Sequence, residues 1–257
     1  MLIALTRDLS PALVRCELTH LTRQAIDLER ARAQHGAYEA RLKEAGCRVE
    51  RLSAGPDMAD SVFIEDTAIV FDELAAVTRP GAVSRRLETA GVADALRRYR
   101  ELRWFEAPAT IDGGDVLVVG RCVFVGRSSR TNDTGIEQMR EMLRPLGYDV
   151  RSVDVRGCLH LKSAVTALTD DLLLVNPAWV ATDSFAPFEC VAVHPDEPLA
   201  ANALRVGKHL IYPTSFPRTL ERIGRRGLQV LTVDATELAK AEGAVTCCSL
   251  VFQAGDN

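Results

Sequence analysis

The chain has 257 residues, 47% hydrophobic and 26% charged, the balance of a soluble globular protein with enough apolar residues for a sizeable core. A net charge of −4 and a pI of about 5.8 supply no basic field for nucleic acid or anionic lipid, so neither is an expected partner. The apolar runs are too short for a signal peptide or a bilayer span, and the expected location is the cytoplasm.

In chain order, MLIALTR (1–7) reads as a strand with no preceding partner. LERARAQHGAYEARLKEAG (28–46) has the three- and four-residue spacing of an amphipathic helix, and CRVERLS (47–53) follows as a strand. Hairpin-like pairs then recur at 67–81 (TAIVFDELAAVTRPG), 115–128 (DVLVVGRCVFVGRS), 164–177 (AVTALTDDLLLVNP) and 200–215 (AANALRVGKHLIYPTS). The Asp170–Asp171 and Gly207–Lys208 pairs between strand halves suit tight turns. Three of the pairs lead into a helical stretch and a further strand, namely 85–100 with 102–108, 134–147 with 148–155, and 216–227 with 228–234. The third pair is degenerate: CVAVHP (190–195) supplies a strand without a convincing helix before it.

AVTCCSLVF (244–252) is a strand with no following partner, and pairing it with residues 1–7 makes a fifth hairpin. The expectation is an α/β fold of five ββαβ-like modules around a pseudo-fivefold axis, one domain over 1–257, with the ring closed between its two ends. Closure of this kind removes the free strand edges that an open repeat would expose. An ordinary α/β sandwich is the competing architecture.

The segments leading into the hairpins carry unexpected polarity. DSVFIED (60–66) brings Asp60, Glu65 and Asp66; TIDGGDVL (110–117) brings Asp112 and Asp115; CLHLKS (158–163) brings His160; TCCS (246–249) brings Cys247 and Cys248. Each also has a plain structural reading: a histidine between leucines is commonly a hydrogen-bonded core residue, and Asp before Gly-Gly is a good turn former. At matching phases of a five-fold repeat, however, they converge on one central cavity. The seven cysteines form no C-x-x-C motif, and adjacent residues rarely suit an unstrained disulfide, so a structural bridge between Cys247 and Cys248 is not expected.

DSVFIEDTAIV, TRPGAVSRR, TIDGGDVLVVG, GRSSRTN, LHLKSAVTAL and VTCCSLVF, in this order, resemble the dimethylarginine dimethylaminohydrolases, guanidino-modifying enzymes of the pentein fold, a five-bladed α/β propeller. The resemblance implies hydrolysis of Nω-methylated arginines to citrulline and a methylamine, with no metal or organic cofactor and a small guanidino substrate as partner. It also implies Cys247 as nucleophile, His160 as general acid and base, and Asp112 as the carboxylate that orients His160. By the same resemblance Asp60, Glu65 and Asp66 hold the guanidinium and amino groups of the substrate, and Arg85 and Arg130 clasp its α-carboxylate. Leu18 corresponds to a mobile lid position and Ala241 to one whose backbone faces the substrate. An arginine deiminase or an amidinotransferase uses the same thiol chemistry and is the nearest alternative; a non-catalytic pentein that binds a large partner is a more distant one. A homodimer is the candidate assembly.

Overall fold

The computed structural model describes residues 1–255, so the domain expected over 1–257 runs two positions beyond them. The described strands form five three-stranded sheets, each with an antiparallel pair followed by a parallel one. In the first, β1 (Leu2–Arg7) is central, antiparallel to β15 (Leu250–Gln253) and parallel to β2 (Arg48–Leu52). The second joins β3 (Ala68–Val70), β4 (Leu74–Val77) and β5 (Glu101–Trp104). The third joins β6 (Val116–Val119), β7 (Cys122–Arg127) and β8 (Asp149–Asp154). β9 (Val165–Ala167), β10 (Leu172–Val175) and β11 (Glu189–Ala192) make the fourth, and β12 (Leu204–Val206), β13 (His209–Pro213) and β14 (Gln229–Val233) the fifth. This is the five-bladed propeller expected from the sequence. The register Leu2↔Gln253 through Leu5↔Leu250 closes the ring.

A parallel pair cannot be joined by a tight turn and needs a crossover, which helices supply here. α1 (Leu28–Glu44), α2 (Thr89–Leu96) and α3 (Asp133–Leu143) cross over in the first three blades. In the fourth, the short α4 (Leu161–Ala164) precedes the hairpin, and a 3₁₀ turn at Thr182–Phe185 stands where no helix was expected. α5 (Pro217–Gly224) serves the fifth blade, and the short α6 (Thr236–Ala239) follows β14. Capping fixes the starts: Asp27 accepts the N–H groups of Glu29 and Arg30, and Asn132 that of Gly135. Central strands such as LAAV of β4 and LLLV of β10 are wholly buried, whereas outer strands such as RVERL of β2 are partly or fully exposed along their length. Apolar clusters fill the spaces between neighbouring blades, as where Phe124 of β7 meets Phe185 edge-on at 5.1 Å.

One local expectation is corrected. The segment 244–249 does not extend the closing strand; it forms turns, and β15 begins only at Leu250. Its polar groups find side chains of other blades instead of a ladder. Thr246 N–H donates to Asn202 Oδ1 (3.0 Å), and Thr246 Oγ1 donates to Glu65 Oε2 (2.8 Å). The two thiols are therefore set apart by a turn rather than by strand alternation.

Candidate active site

Turns and 3₁₀ segments at the inner ends of the blades carry the polar residues to the axis. Asp112 is fully buried; its Oδ1 accepts the Gly81 N–H (2.8 Å), and its Oδ2 lies 3.0 Å from His160 Nε2. His160 stands immediately before α4, and its Nδ1 lies 3.8 Å from Asp66 Oδ1. Burial alone would depress His160, but Asp66, Asp115 and Asp112 outweigh it and raise the imidazole to about 9. Close approach here depends on two glycines. A Cβ on Gly113 would sit 2.0 Å from the Glu65 carbonyl oxygen, and one on Gly114 would sit 2.7 Å from both Asp66 Oδ1 and His160 Nδ1.

Asp66 belongs to the 3₁₀ turn Ile64–Thr67 and is bonded to Arg85 and to the Gly114 N–H. Although burial works the other way, the positive charges of His160 and Arg85 hold its carboxyl below the ordinary range. Arg85 is saturated by protein groups: besides Asp66 it donates to Glu88 Oε2 (3.1 and 3.0 Å) and to the carbonyls of Asp60 (3.1 Å) and Phe63 (2.9 Å). Arg130 is less committed, 3.7 Å from Asp112 Oδ2 and 3.3 Å from Thr19 Oγ1. Asp60 accepts the Glu17 N–H on both oxygens (3.2 and 3.1 Å), and burial pushes its carboxyl upward.

Cys247 opens partly into a cavity of about 20 Å³ whose walls include Asp60, Asp66, Arg85, Arg130, His160 and Ala241. That volume holds about one water molecule. Deep placement in the protein, reinforced by Glu65 and Asp66, pushes the Cys247 thiol up to about 12. Cys248 is buried and turned away, its Sγ 3.5 Å from the Ala244 carbonyl.

Glu65 is not on the wall of this cavity. It pairs with Lys162 Nζ (2.6 Å), accepts from Thr246 Oγ1, and faces a separate axial cavity of about 390 Å³ that Lys162, Thr246 and Ser249 also line. Its backbone does reach the site, since Glu65 N–H donates to the Cys247 carbonyl (3.1 Å). Leu18 is half-buried against the apolar cluster beneath the loop 17–21, and its neighbour Glu17 lines the active cavity.

Sequence reasoning missed what holds that loop. Glu242, next to Ala241, takes a positive φ of 58° and aims its carboxylate at the loop backbone. Thr19, His20 and Leu21 all donate their N–H groups to it, at 2.6–3.1 Å. Ser84 Oγ adds a bond to Glu17 Oε1 (2.6 Å). The only sequence signal was the position of Glu242 between Ala241, expected to face a substrate, and the thiol, because glutamate has no preference for positive φ. For metal binding, oxygens of Asp66 and Asp112 and a nitrogen of His160 lie within 4.8 Å of one another. Both carboxylates are already engaged, by Arg85 and by the Gly81 N–H.

Residues 18–184 match the family model described as "N,N dimethylarginine dimethylhydrolase, eukaryotic". The N(G),N(G)-dimethylarginine dimethylaminohydrolase of Streptomyces coelicolor is 41% identical over 248 residues, 96% of this chain and 95% of its own. The chain belongs to the dimethylarginine dimethylaminohydrolase family. The Pseudomonas aeruginosa dimethylarginine dimethylaminohydrolase is 35% identical over 228 residues, 88% of this chain and 90% of its own. A Cys→Ser variant of a Pseudomonas aeruginosa dimethylarginine dimethylaminohydrolase, solved in complex with citrulline, superposes with a TM-score of 0.91 at 32% identity, covering 97% of this chain and 98% of that one. Among dimethylarginine dimethylaminohydrolases of this size, then, the present chain is matched along nearly its whole length.

Proposed function

We propose that the protein hydrolyses Nω-methylated L-arginines, both monomethylarginine and asymmetric dimethylarginine, to L-citrulline and a methylamine. The observation that carries this reading is the arrangement of Cys247, His160 and two carboxylates, Asp60 and Asp66, around one enclosed cavity, with Asp112 bonded to the far side of the imidazole. Family membership and the citrulline complex of the Pseudomonas aeruginosa relative support it.

A guanidinium is planar and strongly basic, and its carbon is a poor electrophile in water. Forked N–H groups gripped by carboxylates stay cationic, which keeps that carbon open to attack. Burial, reinforced by Glu65 and Asp66, holds the Cys247 thiol protonated before substrate binds; an arriving cation favours thiolate, and the thiol proton passes to solvent. The thiolate forms a C–S bond to the guanidinium carbon. His160, charged at neutral pH, then gives its proton to the departing methylamine as the C–N bond breaks, leaving a thiouronium. Neutral His160 next takes a proton from water as its oxygen adds to the same carbon. The adduct then collapses: C–S breaks, the added oxygen becomes the carbonyl of citrulline, and its remaining proton goes to the departing sulfur, which returns the thiol. Asp112 fixes the imidazole throughout and stabilises its charged form.

Arg130 and Asp60 are placed to hold the amino-acid end of the substrate, and Arg85 acts through Asp66, to which it is bonded. The loop 17–21 has to open before a substrate can enter a space of about 20 Å³. A reducing cytoplasm suits an enzyme with an essential thiol; among the described residues no helix is long and apolar enough to cross a membrane. The test is incubation with arginine, monomethylarginine and asymmetric dimethylarginine separately, with citrulline quantified in each. Citrulline from the methylated substrates supports the reading; citrulline from arginine alone would make the protein a deiminase.

A further inference from the structure

Asp115 is fully buried, and both of its oxygens are occupied. Oδ1 accepts the N–H of Leu161 (2.9 Å), the residue after His160. Oδ2 accepts the hydroxyls of Ser128 (2.6 Å) and Thr131 (2.7 Å), which flank Arg130. Those hydroxyls spend their single protons on Asp115 and their lone pairs on the backbone. Ser128 Oγ accepts the N–H of Arg130 (3.0 Å) and of Thr131 (3.2 Å), while Thr131 Oγ1 accepts the N–H of Asp112 (3.2 Å). Every donor direction therefore agrees with an acceptor-only carboxylate at position 115. β7 makes room for it at Gly126, where a Cβ would come within 2.8 Å of Asp115 Oδ1.

One enclosed carboxylate thus touches the backbone beside His160, the loop carrying Arg130 and, through Thr131, the backbone of Asp112. We propose that Asp115 is the positioning residue of this site: its carboxylate holds the Asp112–His160 pair and the Arg130 loop in register. The proposal deepens the reading above and rests on it for the role of His160. The charged groups facing His160 are Asp66, Asp112 and Asp115, with Cys247, Arg85 and Arg130 around the same cavity. Those facing Asp115 are His160, Asp112 and the Cys158 thiol. Burial raises the Asp115 carboxyl to about 6, partly countered by His160, Ser128 and Thr131, so it is ionised at neutral pH.

Asp115→Asn tests the proposal with two readouts. In ligand-free protein, NMR titration of the His160 imidazole should show its pKa moving down, because a neighbouring negative charge is gone. In turnover, kcat should fall about 10- to 100-fold, the effect of displacing reacting groups by a fraction of an ångström to 1 Å. A lowered Tm with an unmoved His160 titration and unchanged kcat would overturn the proposal and leave Asp115 a purely structural residue. Should Asp115→Asn fail to fold, Thr131→Val against Thr131→Ser decides. Loss of kcat in the valine variant, restored by serine, supports the hydroxyl relay; equal kcat in the two overturns it. The titration needs no substrate. A wild-type protein that makes no citrulline would therefore defeat the functional reading, while the titration would still decide the role of Asp115.

Discussion

The N–H of His20 lies 2.6 Å from Oε1 of Glu242, joining the loop over the cavity to the residue beside Ala241. With the bonds from Thr19 and Leu21, one carboxylate neutralises three consecutive backbone donors. Charge-assisted bonds of this kind each contribute about 1.5–3 kcal/mol in buried settings and less where, as here, solvent reaches them.

Glu242→Ala should release that loop without unfolding the blades. Amide hydrogen exchange at residues 19–21 should accelerate roughly tenfold to a hundredfold, equivalent to about 1–3 kcal/mol of lost closure. KM for methylarginines should rise with it, while Tm moves little. Unchanged exchange at these three amides would show that Glu242 does not hold the loop.

The two thiols should separate cleanly. Cys247→Ser removes the only thiol on the cavity wall among the described residues and should abolish citrulline formation. Cys248→Ser places a hydroxyl near the Ala244 carbonyl, which can accept from it, and should cost about 1 kcal/mol or less while retaining most activity. Equal losses in both variants would contradict the assignment.

Arg85 carries five hydrogen bonds to Asp66, Glu88 and two carbonyls, all enclosed. A lysine cannot reproduce that fork. Arg85→Met, which removes the charge as well as the fork, is expected to destabilise the fold by about 3–5 kcal/mol, the usual cost of breaking a buried ion pair. Denaturant unfolding reads this directly. A variant with wild-type stability and only a raised KM would mean that Arg85 serves the substrate rather than the scaffold.

His160 makes the stability of the protein pH-dependent. Its folded pKa of about 9 exceeds the ordinary value of 6.5, so its contribution is fully present below about pH 6.5 and disappears as pH rises through 9. The difference corresponds to on the order of 3 kcal/mol. Unfolding free energies of wild type and His160→Gln, compared from pH 6 to 10, should converge at the alkaline end. Parallel curves would refute a raised imidazole.

Much of the ring was legible because strand pairs announce themselves locally: β-branched runs, tight turns such as that at Gly207, and helical spacing between them. The phase of the repeat also pointed Asp112 and His160 toward one place, and the structure brings them to 3.0 Å. What could not be read was orientation within that place. Glu65 and Asp66 are neighbours in sequence, yet a 3₁₀ turn sends one to Lys162 on the far side and the other to Arg85. Nor did residues 244–249 betray their turns, since VTCCSLVF has strand-like composition and only Asn202 and Glu65, distant in sequence, draw it out of the ladder. The role of Glu242 was hidden because its backbone conformation runs against its own propensity.

The pairing of β1 with β15 has a consequence for how the molecule comes into being. Of the described strands β1 is made first, and its antiparallel partner, preceded directly by the turn that holds Cys247, is made last. A contact between strands so far apart in sequence is slow to form, because the loop between them must be closed to make it. Four blades can assemble on the ribosome while the first strand waits with one edge unpaired. A chain that stops short of β15 lacks the strand that closes the ring, and one that stops short of residue 247 lacks the thiol on the cavity wall.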